Sequence, residues 1–372
     1  MGWRVDSDLQ QMLRESAQGW LGDKGGPAHF RAVRESGSGF DADAWRDMAE
    51  LGWSGMLLPE AAGGSQLGLE PALTLAEELG QAIAPEPFVA SAVIAATVLA
   101  ASDTPRAMEL ARALAGGEGS VTLAWQERGG TIGLPAFETR LTGGRLSGRK
   151  VHVPAWHADS ALLVAAMGDG GPVVMAVSPR PAGVAITATA MTDATFGAAI
   201  AFDGVDVAAK DILLEGDAAV AALELALARG TVALSAQLEG LAGALWRRTA
   251  DYIRQRVQFD QPLADFQALR HRMVDLYAAI ELAGASWRAA ARALERGEAD
   301  RVALHAAKAR CSDAALDMGR WAIQYHGAFG FTDEADVGLY VHAALRWASW
   351  LGNAPAHRRA ALAAHRASRR GR

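Results

Sequence analysis

The period of the apolar residues changes twice along this chain, and that constrains the fold more than any other feature. Up to about residue 117 apolar positions recur every three or four residues. "DADAWRDMAELGW" starts behind an aspartate cap and stops at Gly52, and "LEPALTLAEELGQAI" and "PFVASAVIAATVLAAS" repeat the pattern around the breaker "APEP". "LPEAAGGSQLG" reads as loop, with Gly63 and Gly64 able to take positive φ. From about 118 to 217 the helical period gives way to short β-rich runs: "SVTLAW", "RLSGRKVHVP", "SALLVAAM", "GPVVMAVS" and "AAIAFDGVDV". Gly, Pro and Asp turns separate them at fairly regular spacing, the pattern of an antiparallel barrel or sandwich. From about 218 the helical period returns in four long strokes, beginning with "AAVAALELALARGTVALSAQLEGLAGALWRRTADYIRQR", in which Gly230 and Gly240 permit close packing or a kink. Four such helices in sequence make a bundle. The expectation is an α+β chain of three domains: a helical N-terminal domain (1 to about 117), a central antiparallel β domain (about 118 to 217) and a C-terminal four-helix bundle (about 218 to 372).

Length agrees, since 372 residues exceed what one compact core organises. The formal net charge of −6 comes from interspersed charges of both signs. A nucleic-acid partner needs a basic stripe, and none stands out. The locally basic "HRRAALAAHRASRRGR" reads as a solvated helix end followed by a frayed tail. The single cysteine, Cys311, excludes an intramolecular disulfide and a cysteine-based zinc site, and its helical setting predicts buried packing. "MGWRVDSDLQQMLRES" holds no apolar signal core, and Asp6 breaks the myristoylation pattern. The longest apolar stretch, "PFVASAVIAATVLAAS", falls short of the ~20 residues of a membrane span. A cytoplasmic protein with no membrane partner is expected.

Two loops carry the residues suited to chemistry. "RQRVQFDQPLADFQALRH" joins the first two long helices and gathers arginines, Phe259, Gln258, Gln261 and Gln267 around a proline-containing turn. A guanidinium offers a planar fork to phosphate oxygens, an aromatic offers an apolar face, and amides can pair with the edge of a heterocycle. A polar interhelical loop anchored by Phe259 is the plainer alternative. "QYHGAFGFTDE" is expected at the other end of the bundle. It lacks G-x-G-x-x-G spacing and a P-loop lysine, but its glycines let backbone N–H groups approach a ligand. "GGRLSGRK" also misses the P-loop pattern and reads as a hairpin.

With "ELGWSGMLLPEAAGG", "AEELGQAIAPEPF", "LSGRKVHV", "RQRVQFDQPLADFQALRHRMVD" and "QYHGAFGFTDEADVGLYVHAAL" in that order, the chain resembles the acyl-CoA dehydrogenase family over nearly its whole length. The fourth and fifth phrases are the specific ones. The resemblance implies an acyl-CoA substrate and FAD bound at a subunit interface. On this chain Arg256 would lie at the pyrophosphate with Phe259 and Gln267 beside it, while Gln324 and Gly327 would reach the FAD of the neighbouring subunit.

Departures from the family pattern are equally informative. The family's glutamate base stands just before the glycine of the last motif, which here reads "WASWLGNAP", so the position holds Leu351. The family's other base position, early in the first long helix, falls on Gly230. Glu224 and Glu239 are the nearest carboxylates, and both read as helix-surface or interhelix residues. Asp260 stands for the usual glycine after Phe259, Ala328 for the second glycine of the usual pair, and His152 and Pro154 for the residues that commonly cover the flavin; Trp156 is a candidate displaced aromatic. The resemblance reaches furthest to heteromeric actinobacterial-type dehydrogenases, in which one subunit carries the base and the other does not, and whose substrates include steroid side-chain CoA esters. The expectation is a subunit lacking its own base that acts with a related partner in a hetero-oligomer. The alternatives are an active homo-oligomer with a relocated base and a flavin monooxygenase on the same fold.

Overall fold

In a computed structural model the structure describes residues 7–130, 132–154, 160–178, 182–298 and 300–370. Helices α1 (Asp8–Lys24), α2 (Gly26–Ser36), α3 (Ala42–Glu50) and α4 (Leu69–Gln81) come first. A π-helical stretch, Phe88–Ala95, continues into α5 (Ala96–Ala100), and α6 (Pro105–Ala115) follows. Eight strands come next: β1 (Val121–Ala124), β2 (Arg140–Thr142), β3 (Arg145–Val153), β4 (Ala161–Gly168), β5 (Gly171–Val177), β6 (Val184–Ala190), β7 (Phe196–Asp206) and β8 (Ile212–Glu215). Then α7 (Gly216–Gln255), a small hairpin of β9 (Val257–Gln258) and β10 (Gln261–Pro262), α8 (Gln267–Glu295), α9 (Arg301–His326), α10 (Asp336–Ser349) and α11 (Ala354–Arg370) complete the chain. The chain forms two compact units, one of Met1–Arg31, Leu73–Ala84 and Thr231–Arg372, the other of Ala32–Ala72 and Pro85–Gly230.

The second unit is built on the sheet. Its strand order is β6-β7-β3-β2-β4-β5-β8, with β1 also on β4. Most pairings are antiparallel, as the short evenly spaced runs predict, but β1 and β2 both pair with β4 in parallel, so the sheet is mixed. The β2–β3 hairpin expected from "GGRLSGRK" is present, with Gly143 and Gly144 at φ 55° and 77° supplying the positive φ that a two-residue turn demands. Leu162–Ala166 and Val173–Val177 are buried without alternation, so β4 and β5 form the centre of a core with Leu146, Val153, Ile200 and Phe202. The aspartate cap read from the sequence also forms: Asp41 accepts from the N–H groups of Asp43 and Ala44.

The other unit holds α8–α11 and the C-terminal part of α7. α4 crosses α7 with backbones in contact: a Cβ on Gly240 would lie 2.0 Å from the Glu77 carbonyl oxygen, and one on Gly80 2.1 Å from that of Gln237. Two glycines, one per helix, therefore set this crossing. An 18-residue window of α7 reaches a mean hydropathy of 1.5, more apolar than the sequence reading allowed, and 61% of it is buried inside the fold, as in a core helix. The basic C-terminal segment forms the solvated helix end expected, α11, exposed over most of its last turns, with His357 buried and Arg358 paired with Asp313 at 2.5 Å.

Candidate functional site

The α7–α8 connection is more ordered than a polar loop requires. β9 and β10 pair Gln258 with Gln261, leaving Phe259 and Asp260 as a two-residue turn at φ 54° and 62°. Those angles are the type I′ requirement, which favours glycine and is tolerated by aspartate. Asp260 thus keeps the turn that a glycine would make. Phe259 is 86% exposed and meets Phe266 edge-on at 6.2 Å between centroids. A large aromatic held out in a left-handed conformation is a strained arrangement of the kind found at functional sites. Arg256 caps the end of α7 through its own N–H to the Tyr252 carbonyl, and its exposed side chain makes no ion pair among the described residues. Gln267, exposed, opens α8 directly after Phe266.

Gln324 and Gly327 lie beside these residues, not at the far end of the bundle as the sequence reading had it. The Tyr325 hydroxyl donates to the Leu269 carbonyl at 2.9 Å, and Tyr252 stacks on His326 at 4.0 Å. The ends of α7 and α9 and the start of α8 therefore meet. Successive helices alternate in direction, so the first and third connections fall at one end. Gly327 has φ 62° and ψ −142°, a region essentially restricted to glycine, and a Cβ there would have no heavy atom within 4 Å. The next residue, Ala328, is exposed in a short 3₁₀ turn with negative φ, so it satisfies the backbone while adding a methyl to the approach. Asp336 anchors the far side of this loop, accepting from Arg31 at 2.8 Å and Arg248 at 3.0 Å. An exposed fork, two exposed amides and an open glycine backbone, carried where these helix ends meet, are groups suited to a phosphate-bearing heterocyclic ligand.

Leu351 sits in the α10–α11 turn, about 21 Å along α10 from that end at 1.5 Å for each of its 14 residues. It is buried and adopts φ 58°, rare for a bulky side chain, and Gly352 follows at φ 107°. No carboxylate replaces it from the two sequence candidates. Glu239 is buried, with Trp287 Nε1 at 3.5 Å, and its carboxyl lies near Gly284 on α8, so it is an interhelix residue as read. Glu224 is exposed on α7, also as read. Gly230 is the last residue of the sheet-bearing unit. In that unit His152 has φ 53° and sits in a bulge where β3 shifts register against β7, exposed, while Pro154 is buried and accepts from Thr122 Oγ1. Trp156 lies outside the described residues.

The sequence reading passed over Lys308 and the pair His305 and His357. Lys308 is wholly buried in α9, and burial pushes its ammonium down to about 7. His357 is held down to about 3, first by burial and then by Lys308, so its ring is neutral. A lysine within the apolar period of "HAAKARC" was the available signal. Cys311 is buried, with its thiol pushed far up by desolvation, as a packing cysteine should be.

Comparisons with known proteins agree with the architecture. The family described as acyl-CoA dehydrogenase, N-terminal domain, matches residues 7–118, and that described as acyl-CoA dehydrogenase, C-terminal domain, matches residues 218–364. Acyl-CoA dehydrogenase FadE27 of Mycobacterium tuberculosis is 28% identical over 342 residues, covering 88% of this chain and 89% of its own. FadE28 of the same organism is 34% identical over 240 residues, covering 63% and 67%. Among solved structures, the Tcur3481-Tcur3483 steroid ACAD G363A variant superposes with a TM-score of 0.87 at 29% identity over 96% of this chain and 98% of that one. The ChsE4-ChsE5 complex from Mycobacterium tuberculosis gives 0.85 at 26% over 95% and 96%.

Proposed function

Because this chain belongs to the acyl-CoA dehydrogenase family, we propose that it is a cytoplasmic subunit of an FAD-dependent enzyme that desaturates an acyl-CoA thioester, that it has no proton-abstracting carboxylate of its own, and that it works with a related partner subunit. The observation that carries the reading is position 351, where a buried leucine occupies the turn. An α-proton beside a thioester is weakly acidic, so its removal needs a positioned base. Leu351 can shape the site and keep water out, but it cannot take a proton. Support for a partner comes from two similar structures, each described as a pair of differently named proteins.

The residues present fit FAD. Arg256 would hold the pyrophosphate, Phe259 and Gln267 would flank it, and Gln324 and Gly327 would meet the FAD of a neighbouring subunit. FAD supplies the hydride acceptor when bound. The protein's part is to fix the ring and phosphate positions before reaction and to exclude water from the site. Asp260 places a carboxylate near the phosphate position, a repulsion that solvent screens because the residue is exposed.

The test is expression alone and with a candidate partner gene, followed by anaerobic mixing with octanoyl-CoA. This chain alone should leave its flavin unbleached, and the co-expressed complex should bleach. Rapid bleaching by this chain alone would refute the reading and send attention to Glu224 and Glu239.

A further inference from the structure

A bulky residue in a left-handed conformation persists only when its surroundings over-determine it. At Leu351 those surroundings can be named. Lys308 Nζ lies 3.2 Å from the carbonyls of Trp347 and Ala348, 3.1 Å from that of Gly352 and 3.1 Å from Ser312 Oγ, so its three N–H groups are shared among four acceptors. Two of these acceptors belong to the last turn of α10, whose carbonyls carry the negative end of the helix dipole. His357 Nε2 lies 3.0 Å from the Leu351 carbonyl, and its Nδ1 lies 3.0 Å from His305 Nδ1. A carbonyl only accepts, so His357 Nε2 carries the hydrogen. In a neutral ring Nδ1 then accepts, and His305 Nδ1 is the donor. The chain of donors runs from His305 through His357 to Leu351, and it ends beside the lysine's grip on Gly352. Both carbonyls of the turn are thus held by buried side chains, one from α9 and one from α11.

We infer that Lys308 and His357 are positioning residues that set the direction of the side chain at 351 through the carbonyls of Leu351 and Gly352. They touch no substrate themselves. A buried ammonium with four neutral oxygen acceptors is an expensive way to close a turn, since an apolar residue would avoid its desolvation. What the cation adds is a fixed backbone where Leu351 and Gly352 both take positive φ, at 58° and 107°. The inference rests on the proposed function only in treating that side chain as part of the acyl site.

Hydrogen exchange on the purified protein tests it, read at the amides of 350–353. Lys308→Met and His357→Leu should each speed exchange there by about tenfold while peptides of α8 stay unchanged. His357→Gln keeps a side-chain N–H for the Leu351 carbonyl and should return exchange to within about twofold of the parent. If packing alone mattered, Gln would do as much harm as Leu, and that result would overturn the inference, as would unchanged exchange in Lys308→Met. A pH series on the unaltered protein covers the case in which a variant fails to fold. The groups facing Lys308 are Cys311 on α9, Arg346 on α10 and His357 on α11, and His305 on α9 faces His357 in turn. With the ammonium held at about 7, exchange corrected for its intrinsic rate should rise as pH passes neutrality, and a flat profile would count against the clamp. Added octanoyl-CoA is a separate arm: protection at 350–353 bears on the acyl-site reading, and its absence leaves the exchange result on positioning standing.

Discussion

Asp260 shows how a residue that looks wrong by sequence can be right by backbone. Its left-handed angle is one that aspartate tolerates and glycine prefers. Asp260→Gly should therefore stabilise the hairpin by on the order of 1 kcal/mol and also remove the carboxylate nearest the proposed phosphate site. Thermal denaturation and flavin retention, both measured on that variant, should rise together; a lower melting temperature would show that the carboxylate serves the turn. His357 gives a second residue-scale expectation. Its pKa is 6.5 when unfolded and about 3 in the fold, so the unfolded chain binds the extra proton between those values. Stability then rises with pH across that window and is lost on acidification, by up to about 1.4 kcal/mol per pH unit. His357→Gln should flatten the melting temperature between pH 6.5 and 4, measured by calorimetry, and an unchanged slope would rule the histidine out as the cause.

At the scale of elements, the sequence carried the alternation of helix and sheet because periodicity is local, and it carried the β2–β3 hairpin, whose turn at Gly143 and Gly144 needs positive φ; of Gly63 and Gly64 only Gly63 takes it. It did not carry the parallel placement of β1 and β2 on β4, which depends on contacts distant in sequence. Nor did it carry the π-helical winding of Phe88–Ala95, where every residue is buried and no amphipathic face marks the winding. Arg256, Phe259, Gln267, Gln324 and Gly327 were legible as two loops, yet their meeting at one end followed only from the helix directions. Lys308 and His357 escaped notice because what they hold is backbone, which leaves no motif. The α4–α7 crossing was half legible: Gly240 was marked for close packing, and its partner Gly80 was not. Gly240→Ala would drive a methyl into the Glu77 carbonyl and should destabilise by about 3 kcal/mol or more, seen as a reduced denaturation midpoint. A near-neutral effect would mean that the helices separate easily there.

For the whole molecule, the proposed pairing with a related subunit has a countable consequence. On that proposal Asp260 and Ala328 would each burden one half of the flavin site, so a mixed oligomer should hold fewer FAD than it has subunits. Native mass and flavin absorbance, taken together on the co-expressed complex, measure the ratio. One FAD per chain in a stable homo-oligomer would end the heteromer reading. The geometry also explains how such a subunit could arise. The hairpin and the Gln324 loop crowd one end of the bundle, while the Leu351 turn lies at the other, a full α10 away. Mutations at one end need not disturb the other. A duplicated gene could shed its chemistry by changes at a single turn, keep the surface that recognises its sibling, and remain under selection as a scaffold long after it had ceased to be a catalyst.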